Sequence, residues 1–296
     1  MRKARIVIVS CPIIELFCDE SQNNDIISLI IGKVVSGRCV LQLFVVVLNN
    51  LKEKKRKELL YMTCDKFYFL LKERGLALND IQKYQFRRFF ETLIEWNERM
   101  NLTGITDKSE VYAKHFYDCL DPFLEMDMSE IKTVCDVGTG AGFPGIPLAF
   151  AYPDIQFDLI DSLGKRIRFL NFCSSELGMT NVKAVHIRAE DFVTDKREHF
   201  DLVTSRAVAK LPLLIELCAP LVKIGGTFVA LKGPAGHAEL QEAKQGPSKL
   251  GLIHIKTNNA SIEEIGERVN IYFKKISETP KKYPRQFGQI KKKPLV

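Results

Sequence analysis

Val134-Cys135-Asp136-Val137-Gly138-Thr139-Gly140-Ala141-Gly142-Phe143-Pro144-Gly145 decides how this 296-residue chain is read. An apolar run ends in a cluster of glycines, and a helix follows from Ile146. Glycines let a chain turn sharply and bring its backbone close to a ligand. A helix that starts there adds free N–H groups and a partial positive charge. Such a unit belongs at the carboxyl end of a strand in a doubly wound α/β sheet.

The pattern around the loop agrees. Apolar strand candidates occur at 131–137, 156–160, 183–187, 200–204 and 226–232, with helical stretches such as 165–177 and 208–222 between them. That alternation predicts a parallel sheet with helices on both faces. Two more strands, 252–256 and 269–276, are expected to close it in antiparallel fashion, and 233–251 reads as a loop with a short exposed helix. In front of the sheet the period is helical. Phe67, Leu70 and Leu71 share a face and Gly75 is a stop; Asn79 is an N-cap candidate. Phe86, Phe89, Phe90, Leu93 and Ile94 then recur at helical spacing, Trp96 to Gly104 leave into a polar turn, and a further helix is expected from Ser109 to Leu124. The expected organisation is a helical cap over 62–128, a ligand-binding domain over 129–280 and a basic tail over 281–296.

Residues 1–61 have a different texture. Ile30 to Leu48 is long enough to span a bilayer, but Lys33 and Arg38 would sit inside it, at about 2.5–3.5 kcal/mol each. The apolar core Ile6–Val9 is too short for a signal peptide. Lys55-Arg56-Lys57-Glu58 would be encoded by purine-rich codons, as a ribosome-binding site upstream of Met62 would be. The expectation is that translation starts at Met62 and that 1–61 is an unstructured extension or upstream sequence read in frame.

Two ligand readings compete at the glycine loop. Gly140-x-Gly142-x-x-Gly145 matches the dinucleotide fingerprint, and Gly138-x-Gly140-x-Gly142 matches the looser S-adenosylmethionine (SAM) pattern. Asp136 discriminates. A carboxylate before the first glycine suits the ammonium and sulfonium of SAM and repels a pyrophosphate. Asp161, nineteen residues past Gly142, can accept both ribose hydroxyls in either case. Asp136, Gly138, Gly140 and Asp161 are therefore candidate cofactor residues. Ala189 and Glu190, after the third strand, are candidates for the adenine, and Arg206 for a place beside the cofactor or the methyl acceptor. The fourth strand ends without the Asn/Asp-Pro-Pro-aromatic group that grips an exocyclic amine, and without a Pro-Cys nucleophile.

Asp136 to Leu148, Asp161-Ser162-Leu163-Gly164-Lys165-Arg166, Arg188-Ala189-Glu190, Ser205-Arg206-Ala207 and Ala230-Leu231-Lys232-Gly233 together resemble the ribosomal RNA small subunit methyltransferase G family (RsmG/GidB). Trp96-Asn97-x-x-x-Asn101-Leu102-Thr103, Lys114-His115-Phe116-x-Asp118 and the tail Tyr283-Pro284-Arg285-x-x-Gly288 resemble it too, so the likeness covers about 62–296. The resemblance implies a Rossmann-like fold with a seven-stranded, mostly parallel sheet. It implies methyl transfer from SAM to the seven-position nitrogen of one guanine in the decoding region of 16S rRNA. It also implies cofactor contacts at Gly138, Phe143, Ala189, Glu190 and Arg206.

That nitrogen carries a free lone pair, so the reaction needs alignment and exclusion of water more than a base. Candidate RNA contacts are Asn101, His115, Lys165, Arg166, Lys282 and Arg285, with Tyr283 and Phe287 available to stack on bases. Asn101 reads equally as a turn residue and His115 as a structural histidine. Trp96 reads as core. The net charge of +7 divides into +4 over 1–61, −3 over 62–280 and +6 over 281–296, so the RNA reading rests on the tail and local clusters. Eight cysteines without a C-x-x-C pair argue against a zinc site or a disulfide scaffold. The expected protein is a cytoplasmic monomer without metal or membrane, acting on small-subunit rRNA or the 30S subunit. The alternatives are a methyltransferase for another substrate, an NAD-binding oxidoreductase, and a catalytically idle RNA-binding assembly protein.

Overall fold

The computed structural model describes residues 61–259 and 265–295. All described residues belong to one compact unit, Leu60–Val296. The readings made for 1–60, including the extension, lie outside the described residues.

Three helical segments come first. Thr63 caps α1 (Cys64–Glu73) by accepting the Lys66 N–H, and Gly75 follows with φ +89°. Asn79 caps α2 (Asp80–Met100) in a reciprocal box: Asn79 Oδ1 accepts the Gln82 N–H and Gln82 Oε1 accepts the Asn79 N–H. The third segment departs from the expected continuous helix over 109–124. It runs as Lys108–Val111, a π-helical Tyr112–Tyr117 and Asp118–Leu120, here together α3, and tightens into a 3-10 turn at Asp121–Phe123. Pro122, which has no N–H to give a helix, stands inside that last turn.

Seven strands form one sheet: β1 (Thr133–Val137), β2 (Gln156–Asp161), β3 (Val182–His186), β4 (Phe200–Arg206), β5 (Val222–Lys232), β6 (Leu252–Asn259) and β7 (Val269–Lys275). Their order is β3-β2-β1-β4-β5-β7-β6, and β7 alone is reversed in the sheet, antiparallel to both β5 and β6. This is the Rossmann-like α/β fold. The order reverses between β1 and β4, which opens a crevice at their carboxyl ends. β4 extends two residues past the expected end, so Arg206 is still strand and pairs with Leu231. The 233–251 segment holds two short helices, Gly236–Glu242 and Gly246–Lys249.

The front helices share one core with a face of the sheet. Phe86 lies 5.2 Å from Phe67, 5.2 Å from Phe116 and 5.1 Å from Phe150, edge to face in each case. Phe150 belongs to α4 (Gly145–Ala151), the helix that follows the glycine loop. Gln82 adds a polar tie by donating from Nε2 to the Phe150 carbonyl at 2.8 Å. On the same face lies α5 (Gly164–Glu176). The other face of the sheet is covered by α6 (Ala189–Lys196), α7 (Leu211–Cys218) and the C-terminal segment.

The C-terminal segment is folded against that second face. Arg285 gives its backbone N–H and guanidinium to Glu216, whose side chain is fully buried on α7. Ile290 is buried, and Tyr283, Phe287 and Leu295 pack on the same core. The rings offered in the sequence as stacking partners for bases are thus engaged with protein. Removing the guanidinium would strand a buried carboxylate, at about 3–5 kcal/mol. Arg285→Ala is expected to lower the unfolding free energy by about that much in urea titrations. Adding Glu216→Leu should restore most of the loss; no recovery would show that the pair is not the anchor.

Candidate active site

The glycine loop is shaped by hydrogen bonds to β2 and by one acid from β1. Gly138 and Thr139 donate their N–H groups to the Ile160 carbonyl at 2.9 and 3.1 Å. Gly138 has φ +71°, and a Cβ there would collide with Val208 from the loop after β4. Gly140 has φ +62°, and a Cβ there would meet nothing within 4 Å, so its backbone faces open space. Its N–H donates to Asp161 Oδ2 at 3.0 Å, which fixes the loop over the end of β2.

Asp136 lies beneath this loop and is fully buried. Its Oδ2 accepts the Gly145 N–H at 2.9 Å, at the start of α4. Its Oδ1 makes no hydrogen bond of good geometry, and neither does the buried Thr139 Oγ1, whose hydroxyl is close enough to favour the anion. Burial pushes the Asp136 carboxyl up to about 7, against the loop's hydrogen-bonding groups, which favour the anion. An orphaned carboxylate oxygen and an orphaned hydroxyl beside an open glycine backbone fit a ligand that brings a cationic ammonium. They fit the amino acid end of SAM, and they would repel a pyrophosphate. Asp161 is also buried. Its Oδ1 accepts the Leu163 N–H, and its Oδ2 is shared by Gly140 and Arg166 at 3.0 Å each. Lone-pair capacity remains on Oδ1 for a ribose hydroxyl.

A second cluster closes the crevice from the side of α3. Arg206 Nη2 donates to the Lys114 carbonyl and to His115 Nδ1, both at 2.9 Å, while Nη1 approaches Cys119 Sγ at 2.9 Å. Asp118 Oδ2 lies 3.5 Å from Arg206 Nη2, and both Asp118 oxygens accept from Arg268 Nε at 3.1 Å. Arg206 is always charged, so its bond makes His115 Nδ1 an acceptor. Nε2–H then donates to Thr103 Oγ1 at 2.8 Å. Burial, with Arg206 adding to it, lowers the His115 pKa to about 3, so the ring is neutral at physiological pH. The ring stacks on Phe143 of the glycine loop, with centroids 4.5 Å apart. Ala207, next in the loop, has φ +57°, a strained conformation for a residue with a Cβ.

The ribosomal RNA small subunit methyltransferase G family model (GidB) matches residues 82–268. The chain belongs to that family. It is 50% identical over 228 residues to the ribosomal RNA small subunit methyltransferase G of Staphylococcus haemolyticus, covering 76% of this chain and 95% of the relative. It is 46% identical over 238 residues to the protein of that name from Geobacillus kaustophilus, covering 79% of this chain and all of the relative. Among solved structures, that of M. jannaschii TYW2 in complex with AdoMet is similar over 50% of this chain and 70% of its own, with 18% identity and a TM-score of 0.42.

The candidates read from the sequence divide into groups in this family member. Asp136, Gly138, Gly140 and Asp161 meet around the glycine loop, and Phe143, His115 and Arg206 meet beside it. Ala189 starts α6, and the Glu190 carboxylate turns to the C-terminal segment, where it accepts the Phe287 N–H at 3.4 Å. Arg166 is held at Asp161, and Arg285 is spent on Glu216, so neither presents a free guanidinium to RNA. Lys165 and Asn101 come together, since Lys165 Nζ donates to the Met100 carbonyl at 3.1 Å. Asn101 is the left-handed C-cap of α2, with φ 48°. Lys282 is exposed on the far segment, over the Tyr283 ring. Cys119 and Arg268 were not among the residues singled out from sequence, and Thr103, Asp118 and Thr139 stood there only as members of motifs. Arg268 had no local signal, because it gains meaning only when β7 folds back beside α3.

Among the described residues there is no group of three or more His, Cys, Asp or Glu placed to hold a metal ion, and the five described cysteines are free. No helix among them is long and apolar enough to cross a membrane. A cation beside Asp136 favours its ionised form, so ligand binding should release a proton below about pH 7. SAM affinity is expected to tighten as pH rises toward 7 and then level off, with Asp136→Asn weaker and flat across that range. Calorimetry in buffers of different ionisation enthalpy measures both; a flat wild-type profile would refute the assignment.

Proposed function

We propose that this chain transfers a methyl group from SAM to the seven-position nitrogen of one guanine in small-subunit ribosomal RNA. Family membership supports the reaction class and the RNA substrate. The observation that carries the cofactor reading is the orphaned, fully buried Asp136 oxygen beneath an open glycine loop.

SAM, when bound, supplies an electrophilic methyl group on a sulfonium. Asp136 and Thr139 hold the ammonium end, Asp161 receives the ribose, and Ala189 and Glu190 border the base. The side chains at the end of β4 bring no free base to the reaction. Thr204 Oγ1 donates to the Val229 carbonyl and Ser205 Oγ to the Val137 carbonyl. His115 spends its lone pair on Arg206 and its proton on Thr103. A nucleophile that must first be deprotonated would be poorly served here. The seven-position nitrogen of guanine needs no deprotonation, so alignment suffices. Arg206 supports that alignment by fixing His115 and Phe143 against the glycine loop. The helical segment 62–128 and the domain 129–280 form the two walls of the cleft, with 281–296 as an outer basic segment. The enzyme acts as a cytoplasmic monomer on rRNA, free or within the 30S subunit.

Nucleotide-resolution mapping of rRNA in cells lacking the gene is expected to show the loss of one 7-methylguanosine. Unchanged methylation at every guanine would reject the reading. Arg206→Lys keeps the charge but loses the fork that spans Lys114, His115 and Cys119. It is expected to lower kcat/KM about 100-fold, as a misplacement of about 1 Å can.

A further inference from the structure

We propose that Trp96 and Phe172, edged by Arg99, Lys165 and Arg168, form a platform for a single-stranded stretch of RNA beside the target base. The identity of the partner rests on the reading above; the platform itself rests on its own geometry.

Trp96 on α2 lies across two rings of α5. Phe169 is fully buried, with its centroid 5.6 Å from the Trp96 ring. Phe172 lies 5.0 Å from Trp96 but is 43% exposed. The half-buried Trp96 thus joins the core on one side and an open aromatic face on the other. The reading of Trp96 as core accounts for Phe169 and leaves Phe172 unexplained.

The cations follow the same edge. Lys165, Arg168 and Phe172 are spaced i, i+3 and i+7, which puts them along one stripe of α5. Arg99 lies one turn beyond Trp96 on α2. All three cations are exposed, and among the described residues none is paired with a carboxylate. Further along the two helices Arg88 pairs with Glu91 at 2.6 Å and with Glu176 at 3.1 Å, while Glu95 and Glu98, the acids beside Trp96, are exposed on α2. The Lys165 bond to Met100 joins the two helices at the end nearest the crevice.

Position and chemistry select the occupant. α5 starts three residues after Asp161, at the cleft, and Phe172 lies about 12 Å further along the helix axis. A strand whose target base enters the cleft would lay its neighbouring nucleotides here. Bases offer ring faces to Trp96 and Phe172, and phosphates offer charge to the three cations. A base-paired duplex hides its ring faces, and an acidic protein would leave the aromatic face without a stacking partner.

Trp96 is the only tryptophan in the chain, so its emission reports the platform directly. The full-length protein is titrated with a short single-stranded RNA of mixed sequence, while the anisotropy of an end-labelled copy reports total binding. Saturable quenching of Trp96 is expected to coincide with the anisotropy change. Affinity should fall roughly 20-fold between about 50 and 200 mM salt, as for three neutralised phosphates on a single strand. Phe172→Ala should weaken binding about ten-fold with an unchanged melting temperature, and Phe172→Leu, which keeps the apolar bulk, should weaken it as well. Binding without quenching, no binding, or unchanged affinity in both Phe172 variants would overturn the platform. Any of those results leaves the methyltransferase reading to the rRNA mapping. A failed mapping with intact quenching would overturn the reaction and spare the platform.

Discussion

One buried carboxylate, Asp118, lies between two guanidiniums that reach it from distant parts of the chain. Arg206 ends β4, Arg268 stands just before β7, and Asp118 lies in α3. Taking these charges out of water costs several kcal/mol per ion, so the cluster is not a simple gain in stability. Its effect is on arrangement. The carboxylate is satisfied only when the front helices lie at the carboxyl edge of the sheet, where the crevice is. The π-helical turn belongs to the same constraint. Its wider winding places the Lys114 carbonyl and His115 on Arg206, and through His115 the contact passes to Phe143 in the glycine loop.

The electrostatics of the cleft and of its surroundings have opposite signs. Inside, Asp136 and Asp161 are buried under the loop, and the Asp136 carboxyl is held near neutrality by burial. That interior favours a cationic ligand and disfavours phosphate. Outside, Lys165, Arg168 and Arg99 line one approach, and Lys281, Lys282, Lys291, Lys292 and Lys293 are exposed on the C-terminal segment. Exposed cations thus lie outside a cleft whose buried side chains are acidic. The modest net charge conceals this separation, since the stretch 62–280 is slightly acidic.

Much of the fold was legible because its signals are local. Alternating apolar strands and helices, the capping residue Asn79 and the glycine loop each depend on a few neighbouring residues. Asp136 could be singled out as the discriminating acid from its place before Gly138 alone. The misread segments all involve tertiary override. The 109–124 helix opens into a π turn, a form that local periodicity does not anticipate. The basic C-terminal run reads in sequence as an RNA-binding tail with Arg285 among its contacts, but Glu216, far away in sequence and buried on α7, takes Arg285.

By itself the sequence determined the α/β class, the position of the ligand loop and the acids that flank it, because backbone conformation and charge at a strand end are set by adjacent residues. Only the tertiary structure decided which cations an acid would claim. Arg206 and Arg285 are each held by a carboxylate far away in sequence and Arg166 by Asp161 five residues before it, whereas Lys165, Arg168 and Arg99 stay exposed beside an aromatic pair. A guanidinium in water and one in a buried pair look the same in sequence; what separates them is whether folding brings an acid within reach.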